Sequence, residues 1–230
     1  MDEAPSNLQR TKLWDWPIRL MHWSFALLMP ALWWTWKDNE IQLHESLGYV
    51  TLGLLAFRLY WGFAGSSTAR FSSFVKGPQT IFAYMRGLFS GEGEPVAGHN
   101  PLGGLSVLIL LGLMVAQVIL GLFTQDVDGI VSGPLTYLVS YETADSARHW
   151  HGLLFNILLG FIVLHLCAIA FYLLVKRDNL VGPMVTGRKR MATTTPPRFA
   201  PWWRIPVGAA ISAALAYWVS LGCPLPWATA

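Results

Sequence analysis

The chain has 230 residues, 53% of them hydrophobic and 13% charged, with twelve Trp and twelve Phe, a composition that points to an integral membrane protein rather than to soluble domains. Sixteen Lys and Arg against thirteen Asp and Glu leave a net charge of +3, too small to mark a nucleic-acid surface. Cys167 and Cys223 stand far apart in or beside apolar runs, with neither C-x-x-C nor C-x-x-C-H, which argues against structural zinc and covalent c-type haem attachment.

The polar first sixteen residues lack the apolar core of a signal peptide, so the first helix is expected to be retained. Five runs then match the roughly 20 residues that a spanning helix needs: Ile18–Trp36, Leu43–Phe63, Leu102–Phe123, His149–Val175 and Ile205–Leu221. Between the second and third, Pro78–Phe89 reads as a short interfacial helix or as a plain loop. Two connections are acidic (Asp38 and Glu40; Asp126, Asp128, Glu142 and Asp145), whereas the others carry Arg70, Lys76 and Arg86, then Lys176, Arg177, Arg188, Lys189, Arg190 and Arg198. The positive-inside rule makes the basic side cytoplasmic, with the N-terminus inside and the C-terminus outside. Trp14, Trp16, Trp33, Trp34, Trp36, Trp202, Trp203 and Trp227 gather at predicted helix ends as an interfacial belt. The expected fold is all-α: residues 1–190 form an integral membrane four-helix bundle, and residues 191–230 a linker and a fifth, C-terminal spanning helix.

Histidine placement carries the chemistry. His22 lies near the inner start of the first span and His44 at the outer start of the second, while His151 and His165 stand fourteen residues apart on the fourth. Fourteen residues rise about 21 Å and make close to four turns, so the two share a face. His44 and His151 then occupy an outer level, and His22 and His165 an inner one. Ionisable groups are costly inside a bilayer, and matched pairs at two depths suit bis-histidine ligation of two haems between the helices. His149 competes with His151 but points about 200° around the helix. His99, in "GHNP", is expected at the cytoplasmic surface as a loop residue. Arg58 follows His44 by the same fourteen residues, which suits a haem propionate or a bound anion, with snorkelling to the interface as the alternative. Arg19 and Arg148 are weaker propionate candidates. Gly48, Gly53, Gly112, Gly121, Gly152 and Gly160 would admit a flat macrocycle or serve plain helix packing.

The segments "WDWPIRLMHW", "LHESLGYVTLGLLAFRLYWGF", "GHNPLGG", "HGLLFNILLGFIVLH" and "VKRDNLVGPMVTGRKR" resemble the bacterial cytochrome b561 family, the di-haem membrane cytochromes b that include the cytochrome b subunits of nickel-iron hydrogenases. The resemblance, over roughly residues 13–190, implies two non-covalent haem b groups, His22 with His165 and His44 with His151, in the bacterial inner membrane. It also implies electron transfer between a quinone, ubiquinone or menaquinone, and a redox partner such as a periplasmic cytochrome or a dehydrogenase or hydrogenase subunit. In one branch superoxide is the donor. Gly152 stands where many relatives carry Glu, so no role of that acid transfers to this chain. Two alternatives accompany this reading: a stand-alone superoxide:quinone oxidoreductase, and a haem-free transporter or membrane scaffold. Proton exchange with quinone could use Asp15, His99 and Arg58 on the inner side, or Glu45, Asp126 and Asp128 on the outer.

Overall fold

Helix α1 (Trp16–Lys37) begins where Asp15 caps it, accepting from the Ile18 amide at 3.0 Å, with Pro17 in the first turn. The computed structural model describes residues 9–90, 98–126, 128–191 and 197–224; Trp227 of the expected aromatic belt and most of the polar linker lie outside them. Within these residues the chain is mostly helical. After a short strand β1 (Gln9–Lys12) and α1 come α2 (Ile41–Ala64), α3 (Phe71–Phe74), α4 (Pro78–Ser90), α5 (Pro101–Leu122), α6 (Tyr141–Leu174), α7 (Val181–Thr186), strand β2 (Arg188–Met191) and α8 (Arg204–Ser220).

Among the described residues three helices, α2, α5 and α6, are long and apolar enough to cross a membrane. α1 has a comparable 22 residues, but polar groups and tryptophans dilute its hydropathy, and α8 has 17 residues. The segment after Gly77 is helical from Pro78 to Ser90. α6 starts eight residues before the expected span, because Ser140 accepts from the Thr143 amide and Glu142 suits the positive end of the helix dipole. Glu142 and Asp145 therefore belong to that helix, not to a loop.

α1 packs on α2, α2 on α5, and α5 along α6; α8 lies along the other side of α2. α6 makes no comparably extended contact with α1 or α2. We call the end where α1 begins basal and the opposite end apical. At the basal end, Leu13, Trp14, Ile18, Met21, Trp61, Ala69 and Met191 form one buried cluster. Trp14, expected in the interfacial belt, is inside it and only 6% exposed. The amides of Leu13 and Trp14 donate to the Gly187 carbonyl at 2.8 and 3.2 Å. Gly187 has φ +77°, and a Cβ there would stand 2.9 Å from the Trp14 carbonyl oxygen, so both backbone hand and space require glycine. A second cluster, Leu55, Leu111, Met114 and Leu158, joins α2, α5 and α6 at mid-depth.

α8 approaches α2 over small residues. Gly53 meets Ala216 there, so it serves helix packing rather than a macrocycle, and a Cβ on Gly208 would fall 2.4 Å from the Tyr60 ring. Tyr60 Oη donates to the Arg204 carbonyl at 3.1 Å, and Arg204 Nη1 donates to the Ala64 carbonyl at 2.8 Å. Gly208→Val should therefore lower the thermal midpoint of the detergent-solubilised protein by several degrees, an overpacking cost of about 1–3 kcal/mol. Gly77→Ala, where a Cβ would meet nothing within 4 Å, should leave the midpoint unchanged in the same assay.

Candidate functional site

Two imidazole pairs face each other across the gap between α6 and the α1–α2 pair. At the apical level the His44 and His151 ring centroids are 6.3 Å apart with planes at 78°. At the basal level His22 and His165 are 6.5 Å apart at 53°. An imidazole nitrogen binds a transition metal at about 2.0 Å and sits about 1.1 Å from its ring centroid, so one metal between two trans imidazoles sets their centroids roughly 6 Å apart. Both pairs stand at that separation. No group of three or more His, Cys, Asp or Glu side chains able to hold a metal occurs among the described residues. Two imidazoles per level, with a macrocycle supplying the other donors, would suit haem.

The apical rings are held from behind. His44 Nδ1 lies 2.9 Å from the Leu32 carbonyl oxygen on α1, and His151 Nδ1 lies 2.9 Å from the Gln117 carbonyl oxygen on α5. A carbonyl can only accept, so each Nδ1 carries the proton and each Nε2 keeps its lone pair for a metal. Gln117 also reaches back, its side-chain amide donating to the His151 carbonyl at 3.0 Å. Basally, Ser106 Oγ stands 3.3 Å from His165 Nδ1, while His22 Nδ1 is sealed from solvent without a partner. Ser106 and Gln117 went unremarked in the sequence. They are the only hydrogen-bonding side chains on α5, and each stands beside one histidine level, a signal that was available.

Space is present where a macrocycle would need it. A cavity of about 1240 Å³ opens around His44, His151, Gly48, Gly121, Gly152 and Trp33. A Cβ on Gly121 would crowd the His151 ring at 3.0 Å, whereas Gly48, Gly112, Gly152 and Gly160 have nothing within 4 Å of that position. Between the two levels, Leu158 is fully buried in the mid-depth cluster, seven residues from each α6 histidine and on their face.

The remaining candidates separate. Arg58 is 7% exposed, lies over the Phe71 ring at 5.0 Å and keeps Nη1 buried without an acceptor. It does not snorkel. Arg19 donates through Nη1 to the Val185 carbonyl and leaves Nε buried and unpartnered. Arg148 is exposed and paired with Asp145, and His149 is exposed beside Trp150 at the rim of the apical cavity, while the ring packed against His44 is that of His151. Asp15, offered above for proton exchange, is committed to the α1 cap and to Trp61 Nε1, whose donation it accepts at 2.9 Å. His99 lies in the loop before α5 as expected, but it is only partly exposed. Its ring packs between Trp14 and Phe74, each centroid 4.7 Å away, and its Nδ1 is buried without a partner.

Residues 13–187 match the family model described as prokaryotic cytochrome b561. The chain belongs to the prokaryotic cytochrome b561 family. It is accordingly a membrane-embedded b-type cytochrome that binds haem b and works in electron transfer, which removes the haem-free alternative. No curated protein and no solved structure matches it. The matched residues do not include β2 or α8.

Burial, followed by the charge of Arg58 and by His22, holds the His99 imidazole down to about 4, so it is neutral at neutral pH. The unfolded chain protonates this group near 6.5 and the folded chain only near 4, so its contribution to stability is full above 6.5 and is lost as pH falls towards 4. Thermal midpoints measured across that window should fall more steeply for the unaltered protein than for His99→Gln.

Proposed function

We propose that this chain binds two haem b groups, His44 with His151 apically and His22 with His165 basally, and passes electrons one at a time between the quinone pool and a redox partner. The observation that carries this reading is the pair of imidazole couples at 6.3 and 6.5 Å, with both α6 members on one face. Bound haem supplies the redox couple. The chain supplies axial nitrogens, the fixed tautomers of His44 and His151, a dry mid-depth layer around Leu158, and cations for the propionates. Arg58 and Arg19, each with a buried unpartnered nitrogen at the basal end, are the propionate candidates. Two levels about 21 Å apart cover most of a hydrocarbon core of about 30 Å.

In this reading α1, α2, α5 and α6 form the four-helix haem bundle and α8 is the fifth spanning helix. Residues 1–190 and 191–230 divide the chain accordingly. The protein lies in the bacterial inner membrane with the basic, basal end cytoplasmic and the apical end periplasmic. The quinone is ubiquinone or menaquinone, and the partner a periplasmic cytochrome or a dehydrogenase or hydrogenase subunit. Asp15 is already engaged at the basal end, whereas Glu45, Asp126 and Asp128 line the apical cavity, which supports placing quinone-linked proton exchange there. The same carboxylates weigh against the superoxide reading, since Arg148, the cation beside them, is paired with Asp145 and an anionic substrate would meet net negative charge.

Pyridine haemochrome analysis of purified protein should give two b-type haems per chain. His165→Ala should remove the basal haem and His44→Ala the apical one, each leaving one, while His149→Ala should keep both. Two haems with unchanged spectra in both ligand variants would refute the pairing. Arg58→Gln removes a buried cation that favours the reduced state, so redox titration should show a lower midpoint potential for the basal haem and an unchanged apical one.

A further inference from the structure

The two flanks of the family-matched region pair with each other. β1 ends at Lys12 and β2 begins at Arg188, immediately outside residues 13–187, and they form an antiparallel ribbon with Arg10 opposite Arg190 and Lys12 opposite Arg188. Alternation along β2 turns Met191, 5% exposed, into the basal cluster and Arg188 and Arg190 outwards. All four cations are exposed and share the outer face of the ribbon, in two like-charged rungs. Like charges directly opposite one another destabilise a strand pair, so this face is costly as it stands. No described carboxylate pairs with any of the four; Lys189, on the other face, is the one that meets Asp178, at 2.8 Å. Lys12 Nζ also lies over the Phe199 ring at 4.4 Å.

Depth identifies the counter-charge. Trp16, Trp202 and Trp203 are exposed at the same end of the bundle, where α1 and α8 begin, and exposed tryptophans at helix ends mark the headgroup level. A ribbon at that level meets lipid phosphates. Successive rungs lie two residues apart, about 6.8 Å along the strand, so each can hold one phosphodiester of a lipid that carries two. We propose that the β1–β2 ribbon is a binding site for a bis-phosphate anionic lipid of the cardiolipin type, one phosphate on the Arg10–Arg190 rung and the other on Lys12–Arg188.

The test is native mass spectrometry of the full haem-loaded chain in detergent, titrated separately with cardiolipin, phosphatidylglycerol and phosphatidylcholine. Cardiolipin should bind at least about tenfold tighter than phosphatidylglycerol, and phosphatidylcholine should not bind the ribbon. R10Q/R190Q and K12Q/R188Q should each weaken cardiolipin about thirtyfold, while K76Q/R86Q, which removes basic charge elsewhere, should not. A charge-conserving R10K/R190K variant and a salt titration of the unaltered protein provide readings free of any folding defect: binding should persist in the first and fall with salt in the second. Equal affinity for cardiolipin and phosphatidylglycerol would overturn the two-phosphate assignment. Binding unchanged in both rung variants, or indifferent to salt, would overturn the site.

Discussion

Fourteen residues of uninterrupted helix separate His151 from His165, and that interval governs the rest of the molecule. It puts two imidazoles on one face of α6 at two depths, so two other helices must each deliver a partner at a matching depth. α1 and α2 do this by running antiparallel, with His22 near the basal start of one and His44 at the apical start of the other. α5 serves both levels through two polar side chains eleven residues apart, Ser106 beside His165 and Gln117 beside His151. Leu158 sits halfway. The mid-depth apolar cluster thus closes the space between the levels, Met114 and Leu158 forming the floor of the apical cavity.

The cost of this arrangement is a bundle that does not fully pack on itself. α6 leans on α5 and stands off from α1 and α2, apart from the side chains that bridge at mid-depth and at the histidines. Several buried polar atoms, among them His22 Nδ1 and Arg58 Nη1, lack partners among the described residues. Buried donors without acceptors are expensive, so much of the stability of the bundle should arrive with the cofactor, as it does in other proteins whose sites are built from ligand-shaped gaps.

The all-helical class, the long apolar helices α2, α5 and α6 and the two histidine levels are legible because each rests on a strong, local signal: long apolar runs, and ionisable groups that interrupt them. His99, Asp15 and Trp14 were misread because their positions are set by tertiary contacts. A histidine before a helix looks solvated until Trp14 and Phe74 close around it, and an aspartate before Trp-Pro looks available until Trp61 takes its second oxygen. The early start of α6 was obscured by its charges, although Ser140 followed by Glu142 carries the marks of a helix beginning. The β1–β2 ribbon was invisible for another reason: its strands lie some 180 residues apart and neither has an apolar alternation to announce it.

That early start has a mechanical side. α6 is 34 residues long, about 51 Å, well beyond a hydrocarbon core of about 30 Å, and its first ten residues contain neither glycine nor proline before His151. Its apical turns, packed through the buried Ala144 and Ala147, are one end of a stiff rod that carries the His151 imidazole. Whatever grips Glu142, Asp145 or Arg148 from the aqueous side holds that rod with no hinge between its grip and the imidazole. A twist of the handle is a twist of the imidazole plane.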